Sequence, residues 1–228
     1  MKINIAIDGP AASGKGTVAR LVAEKLGYLY IDTGAMYRLL TYLMIKNNVD
    51  FNDDEKINNL LINEFDYEIV DKRMICNTED VTEKIRSKEV NEIVSQVAGK
   101  QYVRKFMVEL QKNIASEKGV VMDGRDITSV VLKDAELKIY LDADFEERVR
   151  RRYLEETKKG KNSTLEEVRE MMRARDNNDM NNNKTLVKAD DAIVVDTTNT
   201  TIEQAVEKVY ELAKEVISND WSGSGIYW

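Results

Sequence analysis

Nine residues near the start of the chain, Gly9-Pro10-Ala11-Ala12-Ser13-Gly14-Lys15-Gly16-Thr17, combine glycines, a lysine and a hydroxyl at the spacing that binds phosphate. Glycines let backbone N–H groups converge on phosphate oxygens, and the following helix N-terminus adds partial positive charge. Lys15 supplies a point charge to the outer phosphates, and Thr17 offers its hydroxyl to Mg²⁺. The common pattern has no counterpart to Gly16, which stands here between the lysine and the hydroxyl residue. A second constellation is Asp32-Thr33-Gly34-Ala35-Met36-Tyr37-Arg38, where a hydroxyl, helix N-terminal amides and an arginine one turn later form another oxyanion site. Thr33 taken alone is more often just a helix N-cap. A third is Val120-Val121-Met122-Asp123-Gly124-Arg125-Asp126, a hydrophobic run that delivers two carboxylates and an arginine. Asp123 is suited to orient water on a metal or on a transferring phosphate, while Arg125 and Asp126 can point at a ligand.

These groups need a scaffold that brings strand ends together. Residues 3–7 form an apolar run that predicts a buried strand, and 14–26 has helical spacing through Val18, Leu21, Val22 and Leu26. Further strands are predicted at 28–31, 120–123, 137–141 and 192–195, mostly followed by helical patterns. That alternation predicts an α/β fold with a central parallel sheet flanked by helices. Residues 65–70 and 73–76 predict a hairpin around Asp71-Lys72, an antiparallel insertion on the acceptor side at about 63–98. Lys158-Lys159-Gly160-Lys161-Asn162 is a cationic loop between two helices, the second opening with a capping box from Ser163 to Glu166, and it suits a helical lid at about 148–184. The last helix is expected to start near Thr200 with a box to Glu203, burying Ile202, Val206, Val209, Ala213 and Val216. One domain over 1–218 is expected, with a tail, 219–228, whose flexible Gly and Ser alternate with large aromatics and whose role stays open.

Composition narrows the chemistry. The 228 residues include no histidine, which removes the commonest general base and zinc ligand. Cys76 is the sole cysteine, so no disulfide can form within the chain. The apolar runs are too short and too charged to span a bilayer or to act as a signal sequence, and a cytoplasmic protein is expected, without a membrane partner. The net charge of −7 argues against a nucleic-acid-binding surface. Seven of the thirteen arginines nevertheless lie between Arg148 and Arg175, either as a solvated helix face or as a cationic segment over an anionic ligand.

With the three motifs in view, the chain resembles bacterial-type cytidylate kinases, P-loop kinases of the nucleoside-monophosphate kinase group, from about residue 3 to 214. Supporting matches are Glu83-Lys84-Ile85-Arg86, Ser95-Gln96-Val97-Ala98, Val103-Arg104, Asp142-Ala143, Glu146-Glu147-Arg148, Arg175-Asp176 with Asp179, and Lys188-Ala189-Asp190-Asp191-Ala192. The resemblance implies transfer of the γ-phosphoryl group of ATP, with Mg²⁺, onto CMP and dCMP, by a protein expected to be a monomer. It also implies that Ser95, Arg104 and Asp126 contact cytosine, that Thr33, Arg38 and Arg125 surround the acceptor phosphate, and that Arg175 and Asp179 approach the ribose. A carboxylate and an arginine satisfy cytosine, whereas uracil reverses donor and acceptor, so UMP is expected to be a poorer acceptor.

A nucleotide phosphate is already largely dianionic near neutral pH, so no base is needed and catalysis rests on positioning and charge neutralisation. Lys15 and the lid-side arginines Arg148 and Arg152 are assigned to the transition-state charge, while Arg150 is expected to face water. Two alternatives stay open: a P-loop kinase of a small-molecule alcohol, which could recruit Asp32 or Asp126 as base, and a nucleotide-binding regulatory protein with little turnover. The chain leaves the family pattern after Asp179, where an arginine and a proline are usual and Asn182 and Thr185 stand instead. Either Lys184 replaces the missing cation, or Arg38 and Arg125 suffice.

Overall fold

The computed structural model describes residues 1–70, 73–182 and 186–223, the side chains of 182 and 219–223 excepted. The chain divides into two compact units, Met1–Asp32 with Lys112–Trp228, and Thr33–Gln111.

The first unit is built on five parallel strands: β1 (Asn4–Asp8), β2 (Leu29–Asp32), β6 (Val120–Gly124), β7 (Leu137–Asp142) and β8 (Ile193–Asp196). Their order across the sheet is β2-β6-β1-β7-β8, so β1 is central and the loop leaving it opens at the middle of the C-terminal edge. Asp8 lies beside Gly124 in this register, and Asp32 beside Asp123, which brings two of the sequence motifs to one edge. Each of these five predicted strands is present within a residue of its expected ends. Central strands in such a sheet are covered on both faces, and Ile5, Ile7, Val121, Ile139 and Leu141 are accordingly buried on one face and Ala6 and Met122 on the other. Helix α1 (Lys15–Leu26) and the last helix, α8 (Ile202–Gly223), join this core through Val18, Val22, Val206, Val209 and Ala213. Full burial of such side chains contributes about 1.5–3 kcal/mol each.

Helices α6 (Phe145–Lys158) and α7 (Leu165–Asn177) form the predicted pair around the cationic loop. Val149, Val168 and Met172 make a second, smaller core with Ala11 of the glycine-rich loop, so the pair is packed directly on that loop. Two helix starts differ from expectation by one residue. The first capping box is Thr164 with Glu167, and the last helix uses Thr201 with Gln204. Each segment has two hydroxyl residues in succession with a suitable partner three positions on, and propensity does not choose between them. Packing does: the later start puts Val168 and Met172 inward. Ile202 is thus the first residue of its helix and is exposed, where a buried position was expected, while Val206, Val209 and Ala213 are buried as anticipated.

The second unit holds α2 (Thr33–Lys46), α3 (Asp54–Asn63), α4 (Lys88–Gly99) and most of α5 (Gln101–Ile114), with an antiparallel sheet of β3 (Tyr67–Val70), β4 (Arg73–Cys76) and a short β5 (Glu79–Asp80). The predicted hairpin is present, its turn residues lying outside the described residues, and β5 extends it by a third strand. Glu79 ties this sheet to α2: Tyr42 Oη donates to it at 3.1 Å and Lys46 Nζ at 2.6 Å, and Lys84 pairs with it as well. Lys46, then Lys84, hold its carboxyl down at about 2.

Candidate active site

The glycine-rich loop turns sharply between β1 and α1. A Cβ on Gly9 would stand 2.1 Å from the Leu141 carbonyl oxygen, so no side chain fits there. Gly14 caps α1 with φ 91°, a left-handed conformation that favours glycine, and Ala12 also has positive φ at 59°. Ser13 is fully buried, and its Oγ has no hydrogen-bond partner among the described residues. Such an orphaned polar group beside a helix N-terminus fits a loop that receives an oxygen-rich anion.

Lys15 lies inside this loop and donates to the Pro10 carbonyl at 3.1 Å. Burial, reinforced by the positive charge of Arg125, lowers its ammonium from an ordinary 10.5 to about 7, against the pull of Asp123 and Asp32. Asp123 is displaced the other way. Burial, then the like charge of Asp32, raises its carboxyl to about 7, although Lys15, the Tyr30 hydroxyl at 2.8 Å and Arg125 oppose that rise. Both charges are therefore held at a cost that an incoming polyphosphate and cation would relieve. A methyl group on Gly16 would meet Tyr30 Oη at 3.4 Å and Asp123 Oδ2 at 3.8 Å, ordinary contact distances, so Gly16 lies against this pair without space there requiring a glycine.

Arg125 bridges three elements. Its Nε donates to Asp179 Oδ2 at 2.8 Å, and its Nη1 to the carbonyls of Gly9 at 3.1 Å and Gly124 at 3.3 Å. Asp179 is in the π-helical turn Asn178–Asn182 that follows α7, and Arg175 is near enough for its charge to reach Lys15. Asp126 follows Arg125 and starts the helical turn Ile127–Val131. The first unit thus gathers Lys15, Asp123, Arg125, Asp126, Arg175 and Asp179. The other predicted residues belong to the second unit: Thr33 is buried at the start of α2, Arg38 lies one turn further along that helix, and Ser95 and Arg104 are half-buried on α4 and α5. Lys184 and Thr185 lie outside the described residues, as does the side chain of Asn182.

The arginines of α6 separate into different tasks. Arg148 is buried and points into the loop: Nη1 donates to the Ala11 carbonyl at 3.2 Å and to Asp176 Oδ2 at 2.7 Å, and Nε to the Ala143 carbonyl at 3.1 Å. Arg152 pairs along its own helix with Glu156 at 3.0 Å and Glu155 at 3.3 Å. Arg150 is mostly exposed, as expected, and pairs with Glu147. Arg151 was not singled out by sequence, yet its guanidinium donates to Thr197 Oγ1 at 3.0 Å and to the Thr197 carbonyl. Thr197 in turn donates to the Ser13 carbonyl at 3.1 Å. The loop's carbonyls at Ala11 and Ser13 are therefore bolted to α6 and to the residue that follows β8.

Among the described residues no cluster of three or more Cys, Asp or Glu side chains could by itself cage a metal. A magnesium site needs no such cage, because Mg²⁺ keeps water and substrate phosphate in its shell and takes one or two carboxylates or hydroxyls. Neighbouring Asp32 and Asp123, whose like charges raise the Asp123 carboxyl, fit that donor chemistry together with Thr17 at the start of α1.

Residues 5–215 match the family model for cytidylate kinase. The chain is 46% identical to a cytidylate kinase of Caldicellulosiruptor saccharolyticus over 96% of its own length and 99% of the relative. It is also 46% identical to one of Bacillus cereus, over 95% of this chain and 98% of that one. Among solved structures, a gluconokinase from Sinorhizobium meliloti superposes with TM-score 0.51 at 12% identity, covering 98% of each chain. A shikimate kinase from Bacteroides thetaiotaomicron superposes with TM-score 0.51 at 14% identity, covering 94% of this chain and 99% of the other. Those two similarities establish the P-loop kinase fold alone, whereas the sequence match over nearly the whole length establishes more: this chain belongs to the cytidylate kinase family.

Proposed function

We infer that the protein transfers the γ-phosphoryl group of ATP to CMP and dCMP, yielding CDP and dCDP. The observation that carries this reading is the 46% identity with curated cytidylate kinases over 96% of the chain. The geometry agrees with phosphoryl transfer between two anions. Lys15, at the start of α1, is assigned to the outer phosphates of ATP, and its displaced ammonium gains a full charge when those phosphates arrive. Thr33, Arg38 and Arg125 are assigned to the acceptor phosphate, Ser95, Arg104 and Asp126 to cytosine, and Arg175 and Asp179 to the ribose. The Arg125–Asp179 ion pair supports placing those two near one ligand.

Asp123, Asp32 and Thr17 would hold Mg²⁺, which supplies charge neutralisation to the donor phosphates. The acceptor oxygen arrives deprotonated, so the chain's own groups orient and neutralise but abstract no proton. Arg152 is assigned to transition-state charge from the α6 side, which requires it to exchange Glu156 for the ligand. Arg148 contributes indirectly, by holding the Ala11 carbonyl away from the phosphates. No helix of the described residues is long and apolar enough to cross a membrane, and a freely diffusing, cytoplasmic monomer remains our proposal.

An ATP-consumption assay with CMP, dCMP, UMP, AMP, shikimate and gluconate as acceptors tests the reading. CMP and dCMP should support turnover at the highest kcat/KM, with UMP at least tenfold poorer. Comparable turnover with an alcohol, or none with any monophosphate, would overturn it.

A further inference from the structure

Asp8 ends β1, one residue before the phosphate-binding loop, and is fully buried after the apolar residues Ile5, Ala6 and Ile7. Neither of its oxygens is turned toward that loop. Oδ1 accepts from the Ile127 N–H at 2.9 Å, and Oδ2 accepts from the Thr128 N–H at 2.8 Å and from Thr128 Oγ1 at 2.6 Å. Ile127 and Thr128 are themselves buried, so water does not compete for these bonds. The donors open the turn Ile127–Val131, whose first N–H groups have no partners within the turn, and Asp8 supplies them from a strand more than a hundred residues away. A carboxylate there also sits at the favourable end of the turn's dipole.

The segment held in this way carries Arg125 and Asp126 immediately before it. A second fastening lies one residue after Asp8 and two before Ile127, where Arg125 donates to the carbonyl of Gly9. Asp8 and Gly9 on one side, and Arg125 to Thr128 on the other, are thus cross-bolted beside the parallel register of Asp8 with Gly124. Burial raises the Asp8 carboxyl, while the bonds from Thr128 and Ile127 oppose that rise and make the charged acceptor the useful form.

We propose that Asp8 is a positioning residue for the phosphoryl acceptor: its carboxylate holds the Arg125-Asp126 peptide in register with the entrance of the phosphate loop. This rests on the reading above that Arg125 and Asp126 face the acceptor nucleotide. An amide in place of the carboxylate keeps the volume but aims an N–H₂ group at N–H or O–H donors, so the turn must shift. The shift reaches Asp126 first, and selectivity for the base should change with it.

The test measures kcat and KM for CMP and UMP at saturating ATP, the Kd of a non-hydrolysable ATP analogue and the thermal midpoint. The variants are Asp8→Asn, Thr128→Val and Thr128→Ser, with Asp126→Ala alongside. Asp8→Asn should lower kcat/KM for CMP by about 10- to 100-fold and narrow the CMP to UMP ratio, with the analogue's Kd within about threefold of wild type. Thr128→Val should lower kcat/KM for CMP severalfold, and Thr128→Ser, which keeps the hydroxyl, should restore it. A folded Asp8→Asn enzyme with wild-type CMP kinetics overturns the proposal. So does one that loses ATP and CMP affinity equally while keeping the CMP to UMP ratio, which is the signature of a merely structural role. If Asp8→Asn fails to fold, wild-type CMP kinetics in Thr128→Val overturns it instead. Unchanged CMP kinetics in Asp126→Ala points to failure of the acceptor reading itself, separately from the part played by Asp8.

Discussion

Replacing Lys15 with methionine removes a charge while keeping most of the side chain's volume, and the structure predicts opposite effects on activity and stability. Lys15 is 9% exposed and donates to the Pro10 carbonyl at 3.1 Å. Burial and Arg125 bring its ammonium down to about 7 from 10.5, and each pH unit of displacement corresponds to about 1.4 kcal/mol. Burial thus makes this charge cost a few kcal/mol near neutral pH. Between about 7 and 10.5 the unfolded chain binds the proton that the folded chain has lost, so stability rises with pH across that window. Lys15→Met should flatten that rise and leave the thermal midpoint at pH 7 unchanged or higher. On the proposed reading the same charge faces the transferring phosphoryl group in the transition state, and loss of one such contact costs on the order of 10²- to 10³-fold in kcat. Turnover is read by coupling ADP and CDP formation to NADH oxidation, and stability by circular dichroism melts from pH 6.5 to 10. More than about a tenth of wild-type turnover, or a midpoint at pH 7 lowered by several degrees, would refute the reasoning.

Two more substitutions separate recognition from architecture. Asp126→Ala should narrow the ratio of kcat/KM for CMP over UMP about tenfold or more, because the carboxylate is assigned to the cytosine amine, and an unchanged ratio would remove Asp126 from base recognition. Arg148→Met should destabilise the fold by about 3–5 kcal/mol, since it strands the buried Asp176 carboxylate, and Asp176→Asn in the same chain should recover part of that loss in urea unfolding. A surface-like effect below about 0.5 kcal/mol would show that the pair does not hold α6 and α7 on the loop.

The local order of the chain determined a great deal. Strand, glycine-rich turn and helix follow one another between Asn4 and Leu26, and each needs only near neighbours: an apolar run, glycines where φ is positive, then helical spacing. The parallel sheet, the antiparallel hairpin and the paired helices around Gly160 were legible for the same reason, because period and turn chemistry are properties of short windows. Tertiary packing decided what a short window leaves degenerate. Ser163 and Thr164 are equally good caps, and the inward set of Val168 and Met172 selects Thr164.

Four arginines in five positions look alike in sequence. Their ends are told apart only by what lies opposite: the Ala11 carbonyl 137 residues away for Arg148, Thr197 and the loop for Arg151, and neighbouring glutamates for Arg150 and Arg152. Asp8 was passed over because it reads as the polar end of an apolar strand. Its one available signal was a charge at the last position of a central strand, and its partners at Ile127 and Thr128 lie about 120 residues further on. Phosphate chemistry is legible in sequence because contiguous backbone amides perform it, whereas a buried carboxylate acquires its role only when folding removes water and brings distant donors to it.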